Sequence, residues 1–189
     1  MESAESILLP IQFAQQEHDQ LAHRDILSLD THTRLKHMTL HFLKYAGKVA
    51  SAADKHDENE LRVVVVDAFI ICLATANTLN VSIGEKINRH ESDLEALAAS
   101  LAKDAIQEPI FDRVLKDLVK ISGRMAKAIE ATDHLEDGNP RSVLETLIVE
   151  LSIAMLVAIG LLKIDISQAV TQRWRSVERK SIFLRAEAC

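Results

Sequence analysis

Residues 57–85 read DENELRVVVVDAFIICLATANTLNVSIGE. Four consecutive β-branched residues, Val63–Val66, would suit a strand, but the apolar run continues through AFIICLATANTL. That length exceeds an ordinary strand and suits a buried helix. Asp57 and Glu60 stand at the spacing of a capping box, so the helix is expected over Glu58–Leu79. The uncharged stretch Ala68–Gly84 spans 17 residues and carries Thr75, Asn77, Thr78, Asn80 and Ser82. A membrane span wants roughly 20 mostly apolar residues, so the stretch reads as a buried helix with its exit turn, and no membrane partner is expected.

Outward from this segment the apolar period stays near 3.6. Further helices are expected over about Ala4–Arg24, Thr33–Lys55, Ile83–Lys103 (with a break), Pro109–Thr132, Pro140–Leu162 and Ile166–Leu184. Pairs with cap spacing support these starts: Ser82 with Glu85, Ser92 with Glu95, Ser142 with Glu145 and Asp165 with Gln168. Pro140 after Asn139 fits a first-turn proline, and Glu136-Asp137-Gly138-Asn139 is the clearest break in the chain. Only 5 glycines and 3 prolines occur in 189 residues, too few for the turns of a sandwich, barrel or doubly wound sheet. The expected fold is therefore an all-α helical bundle in a single domain, residues 1–189. A net charge of −6 argues against a broad nucleic-acid-binding face, so no nucleic-acid partner is expected. Cys72 lies in the apolar run and Cys189 is the last residue, which is no disulfide framework. The N-terminus MESAESILLP has no basic region before its apolar stretch, so it does not read as a signal peptide. Both features point to a cytoplasmic location.

The chain also repeats itself. Adding 83 carries Ile70, Leu73, Leu79 and Ile83 onto identical residues Ile153, Leu156, Leu162 and Ile166, and Asp67 onto Glu150. Adding 76 carries Lys44, Gly47, Ala50 and Ala52 onto Lys120, Gly123, Ala126 and Ala128, and Lys48 onto Arg124. The expectation is two helix-pair repeats, about 33–103 and 109–184, related by a pseudo-twofold axis, each covering the apolar face the other would expose.

His37, His41, Lys44 and Lys48 stand at i, i+4, i+7 and i+11, within about 60° on a helix. They form either the solvent face of a bundle helix or a basic ridge able to hold phosphate. Arg113, Asp117, Lys120 and Arg124 repeat the spacing. Asp67 and Glu150 each begin a long apolar segment, where an unpaired carboxylate would cost several kcal/mol. Each is expected to pair with the basic stripe of its own copy, Asp67 with Lys44 or Lys48 and Glu150 with Lys120 or Arg124. Glu60 and Glu145 read as capping partners rather than metal ligands. His37 and His41 have the spacing of helical zinc ligands, but HMTLH lacks the metalloprotease glutamate and the two lysines would repel a cation. The doublet His56-Asp57 falls in the charged loop KHDENE. A metal phosphohydrolase using His37, His41 and Asp67 is the third-ranked reading.

In layout the chain resembles the all-α NTP pyrophosphohydrolase superfamily, the MazG-like group. The first element is Lys44-Tyr45-Ala46-Gly47-Lys48-Val49-Ala50; the second is Val64-Val65-Val66-Asp67-Ala68-Phe69-Ile70, with the exit Leu79-Asn80-Val81-Ser82-Ile83. Lys120–Ala126, Leu147–Glu150 and Leu162–Ile166 give a second copy. The resemblance implies a nucleotide or another phosphate-bearing small molecule as ligand. It also implies Mg²⁺ held by four acidic positions. Here only Asp67 or Glu150 fills one of these per copy, with Lys44 and Lys48, or Lys120 and Arg124, where carboxylates would stand. Mg²⁺ wants oxygen ligands, so metal-dependent hydrolysis is expected to be reduced or lost and Mg²⁺ is disfavoured as a cofactor. The expected phosphate-binding set is His37, His41, Lys44, Lys48, Asp67, Lys120, Arg124 and Glu150. The alternative is a non-catalytic helical interaction module. Self-association is left open by either reading.

Overall fold

The computed structural model describes residues 1–134 and 137–184. Glu136 of the expected break and the terminal Cys189 lie outside the described residues. The described residues form eight α-helices: α1 (Ala4–Ala22), α2 (Arg24–Leu27), α3 (Thr31–Lys55), α4 (Glu58–Leu79), α5 (Leu94–Lys103), α6 (Ile110–Asp133), α7 (Pro140–Leu162) and α8 (Ile166–Glu178). The protein is an all-α helical bundle. Its only sheet among the described residues is one antiparallel pairing of β1 (Glu2–Ser3) with β2 (His90–Glu91).

Four long helices form the centre. Helix α3 packs on α4 and α6, and α7 packs on the same two. The core between them is aliphatic with few rings: Phe42, Val64, Val65, Phe69, Leu73, Leu118, Met125, Leu147, Leu151 and Met155 are buried. Helices α4 and α7 are apolar on almost every face because each is covered twice. Helix α1 lies on the outside of α4, and α5 on the outside of α7. By length and composition alone both could cross a membrane, with mean hydropathy 1.7 and 2.1. In the bundle those apolar faces meet other helices.

Local chemistry sets the helix ends. Asp57 Oδ1 accepts from the Glu60 amide at 3.0 Å and Asp165 Oδ1 from the Gln168 amide at 2.9 Å, as the cap spacings required. Asn80 and Lys163, 83 residues apart, end α4 and α7 in the same left-handed conformation, φ 57° and 52°. Elsewhere the ends differ from the expectation. Helix α7 starts at Pro140 as expected, so Asn139 and not Ser142 is its cap, and Glu145 instead binds Arg141. Ser82 Oγ accepts the Glu85 amide only at 3.4 Å beside a 3₁₀ turn, Gly84–Lys86, whose N-cap is Ile83, and the chain then runs extended through His90–Glu91 to α5, whose cap is Asp93. The expected helix over Ile83–Lys103 is thus reduced to its second half. Close packing requires this: a Cβ at Gly84 would lie 2.4 Å from Glu5 Cα, so the turn is wedged against the start of α1. Helix α8 ends at Glu178, short of Leu184.

Helix α1 is fastened by polar groups as well as by Ala4 and Leu8. Gln12 receives the Ile83 amide (3.0 Å) and donates to the Val81 carbonyl (2.9 Å), while Asn77 Nδ2 donates to the Gln12 carbonyl (2.7 Å). These bonds hold α1 against the end of α4 and leave its C-terminal half, with Gln15, His18 and Asp19, facing a gap between α3, α4 and α8.

Candidate functional site

That gap is a cavity of about 470 Å³ bounded by α1, α2, α3, α4 and α8. One part of its wall is apolar, with Ile26, Leu27, Met38, Ile70, Ile71 and Val177. The rest carries Gln15, His18, Asp19, His23, Arg34, His37, His41, Tyr45, Asp67, Asn77, Arg173 and Trp174. A recess that sets convergent polar groups beside an apolar wall is suited to a small molecule, though this one is richer in polar groups than most such sites.

Asp67 faces this cavity from α4 and is held by Arg173 of α8, Nε to Oδ1 at 2.5 Å and Nη2 to Oδ2 at 2.8 Å. The fork geometry makes this the strongest type of ion pair. The expected partners, Lys44 and Lys48, do not take this role. Their side chains point outward along α3, where Lys48 meets Glu60 at 3.4 Å and Lys44 lies 2.9 Å from His41 Nδ1 and 4.7 Å from the Tyr45 ring centre. They border a separate shallow recess with Gly47, Ser51 and Asp57. The physical reason is rotation about the helix: Tyr45 and Val49 are the buried positions of α3, so 44 and 48 fall on the rim.

His37 and His41 do reach the cavity, with their Nε2 atoms 3.1 Å apart. A lysine ammonium can only donate, so His41 Nδ1 accepts from Lys44, and the His41 proton sits on Nε2 and is donated to His37. Burial, then the Lys44 and His37 charges, pushes the His41 pKa down to about 4, so the ring is neutral at pH 7. Burial, then Lys48, also lowers the Lys44 pKa, with Asp67 opposing. Burial, reinforced by Asp67, raises that of Tyr45.

The second-copy candidates lie elsewhere. Glu150 pairs with Arg124 at 2.9 Å across α6 and α7, on an open face, as one of its two expected pairings. Lys120 is exposed on α6. None of the three lines the cavity. The eight residues expected to act together are therefore distributed over three places, and of them only His37, His41 and Asp67 border the cavity.

Several cavity residues escaped the sequence reading. On α1, Gln15 and Asp19 of the cavity wall follow Gln12 in extending the buried stripe of Ala4 and Leu8, a run of polar groups at core spacing that marks a helix facing something polar. His18 lies beside them, its ring stacked on the chain's one tryptophan, Trp174, at 5.7 Å, with Nδ1 3.2 Å from Glu178. Trp174 Nε1 donates to Gln15 Oε1 (2.7 Å), and Gln15 Nε2 donates to Asp19 Oδ1 (2.8 Å). Burial raises the Asp19 pKa despite the Gln15 bond and the neighbouring His23, His18 and Arg34. Arg34 Nη2 donates to the carbonyls of Leu27 and Leu29, yet its Nε is buried with no hydrogen-bond partner.

The acids at the family-like positions do not fit Mg²⁺. Asp67 is engaged on both oxygens by Arg173, and Glu150 by Arg124 on another face, so among the described residues neither stands in a cluster of metal-ligating groups. Compared with protein-family models, with curated proteins and with solved structures, the chain matches none.

Proposed function

We propose that the chain binds a phosphate-bearing small molecule of nucleotide size in the cavity between α1, α3, α4 and α8. The observation that carries this reading is the imbalance of charge-bearing groups around one recess. Two arginines and four histidines line it against two acids, Asp19 and Asp67. Asp67 is already neutralised by Arg173, and burial raises the Asp19 pKa. The remaining donors favour an anion. Arg34 adds a guanidinium whose Nε lacks a partner, an arrangement that costs about 1–3 kcal/mol when unrelieved. Met38, Ile70 and Ile71 offer an apolar surface to a base or sugar. The likeness to the MazG-like group names nucleotides as the class to try first. Lys44, Lys48, Lys120, Arg124 and Glu150 are outside this reading, because they do not border the cavity.

Thermal unfolding of the full chain with nucleoside mono-, di- and triphosphates, in the absence of Mg²⁺, tests it. A ligand at 100 times its Kd adds about 2.7 kcal/mol of stability. Arg34→Gln should remove most of the shift, and Lys120→Ala should leave it. No stabilisation by any nucleotide or by inorganic phosphate would favour the non-catalytic interaction module instead.

A further inference from the structure

We infer that His18, Asp19 and His23, at the C-terminal end of α1, form a binding site for a divalent transition-metal ion such as Zn²⁺. One ligand atom from each of the three lies within 4.8 Å of the others. Tetrahedral zinc with bonds near 2.1 Å needs ligand atoms about 3.4 Å apart, so a closure of up to about 1.4 Å suffices. His23 can supply it: it follows the last residue of α1 and is only half-buried.

The surroundings are those of a prepared site. Glu178 lies 3.2 Å from His18 Nδ1. With the proton on Nδ1 and donated to that carboxylate, Nε2 keeps its lone pair, the arrangement by which metal-binding histidines are oriented. Trp174 stacks on the same ring and fixes its plane. Gln15 holds Asp19 Oδ1, and Gln15 is itself held by Trp174 Nε1. Two imidazoles and one carboxylate with free positions suit Zn²⁺, Co²⁺ or Fe²⁺ and not Mg²⁺ or Ca²⁺. All three residues border the cavity, so a bound ion would present its open positions there. Arg34, whose charge acts on Asp19, is drawn aside by the carbonyls of Leu27 and Leu29. The competing pair, His37 and His41, is engaged ring to ring and by Lys44. The site stands on its own groups and does not depend on the anion reading.

Calorimetric titration of the metal-stripped, tag-free full chain with Zn²⁺, in a buffer without phosphate or nucleotide, tests it, with Co²⁺ as a spectroscopic probe. The expected result is one equivalent of Zn²⁺ bound and a visible Co²⁺ band. His23→Ala should abolish both. Glu178→Gln should weaken binding about 10–100-fold. The double variant His37→Gln with His41→Gln should bind as the parent does. Metal-free melting of each variant reports whether it is folded. Failure of the parent chain to bind Zn²⁺, or binding that survives His23→Ala and is lost with His37 and His41, overturns the assignment.

Discussion

The imidazole of His41 has His37 and Lys44 as neighbours on its own helix and Tyr45 edge-on at 6.0 Å, and it feels the charge of His23 at the end of α1. Its pKa falls to about 4 in the fold, against an ordinary value near 6.5 once unfolded. Between these values the unfolded chain binds the proton and the folded chain does not. Stability conferred by the neutral ring is complete above about pH 6.5 and drains away as the pH drops toward 4. His41→Gln removes this term. Denaturant unfolding at pH 7 and pH 5 should therefore show a smaller acid-induced loss in His41→Gln than in the parent. Equal losses would mean that the ring does not stay neutral. At the same scale, Asp67 shows what the sequence concealed. Its position at the head of an apolar run required a cationic partner, and the nearest cations in register were Lys44 and Lys48. The partner came from Arg173, 106 residues away, because α8 folds back over α4 and brings a planar fork to both carboxylate oxygens.

Helices α3 and α6 carry their glycines at matched positions, and α7 carries one of another kind. A Cβ at Gly47 or Gly123 would meet nothing within 4 Å, and both residues are exposed. A Cβ at Gly160 would fall 2.2 Å from the Ala98 carbonyl oxygen, so α5 rests directly on the backbone of α7 there. Gly47→Ala and Gly123→Ala should each raise stability by up to about 1 kcal/mol through helix propensity. Gly160→Ala should lower it by about 1–3 kcal/mol, since backbone must move apart. Denaturant midpoints of the three variants check the signs. Element existence was legible: seven of the eight helices correspond to expected ones, and the eighth, α2, is a single turn of four residues. The segment after Ser82 was not legible. Its cap signal is genuine but starts only one 3₁₀ turn, because contact with α1 and the pairing with Glu2–Ser3 hold the next residues extended.

Across the whole molecule, the bundle puts its two acids, at equivalent sequence offsets, in unequal places. Asp67 lies under α8 beside the cavity, and Glu150 lies on the open α6–α7 face. Among the described residues, neither place gathers the several oxygens that Mg²⁺ demands. An arginine about 4 Å from such an ion opposes it by roughly 4 kcal/mol at an effective dielectric of 20. The purified protein with Mg²⁺ should therefore release little or no pyrophosphate from nucleoside triphosphates. Robust Mg²⁺-dependent release, abolished by Asp67→Ala and tolerant of Lys44→Ala, would overturn that expectation.

What the sequence determined by itself was periodic and local. A 3.6-residue apolar period, caps at fixed spacing and a shortage of glycine and proline leave a helical bundle as the way to bury α4 and α7, and those signals are complete within a few turns of chain. The period also placed His37, His41, Lys44 and Lys48 on one stripe of α3, but not that the two histidines would border the cavity while the two lysines fall on its rim. Only the tertiary structure decided which polar groups meet. The cavity draws His18, Asp19 and His23 from α1, Arg34, His37 and His41 from α3, Asp67 from α4 and Arg173 from α8. Between distant helices the pairing depends on their crossing and rotation, which packing of the whole core fixes and which no local spacing encodes.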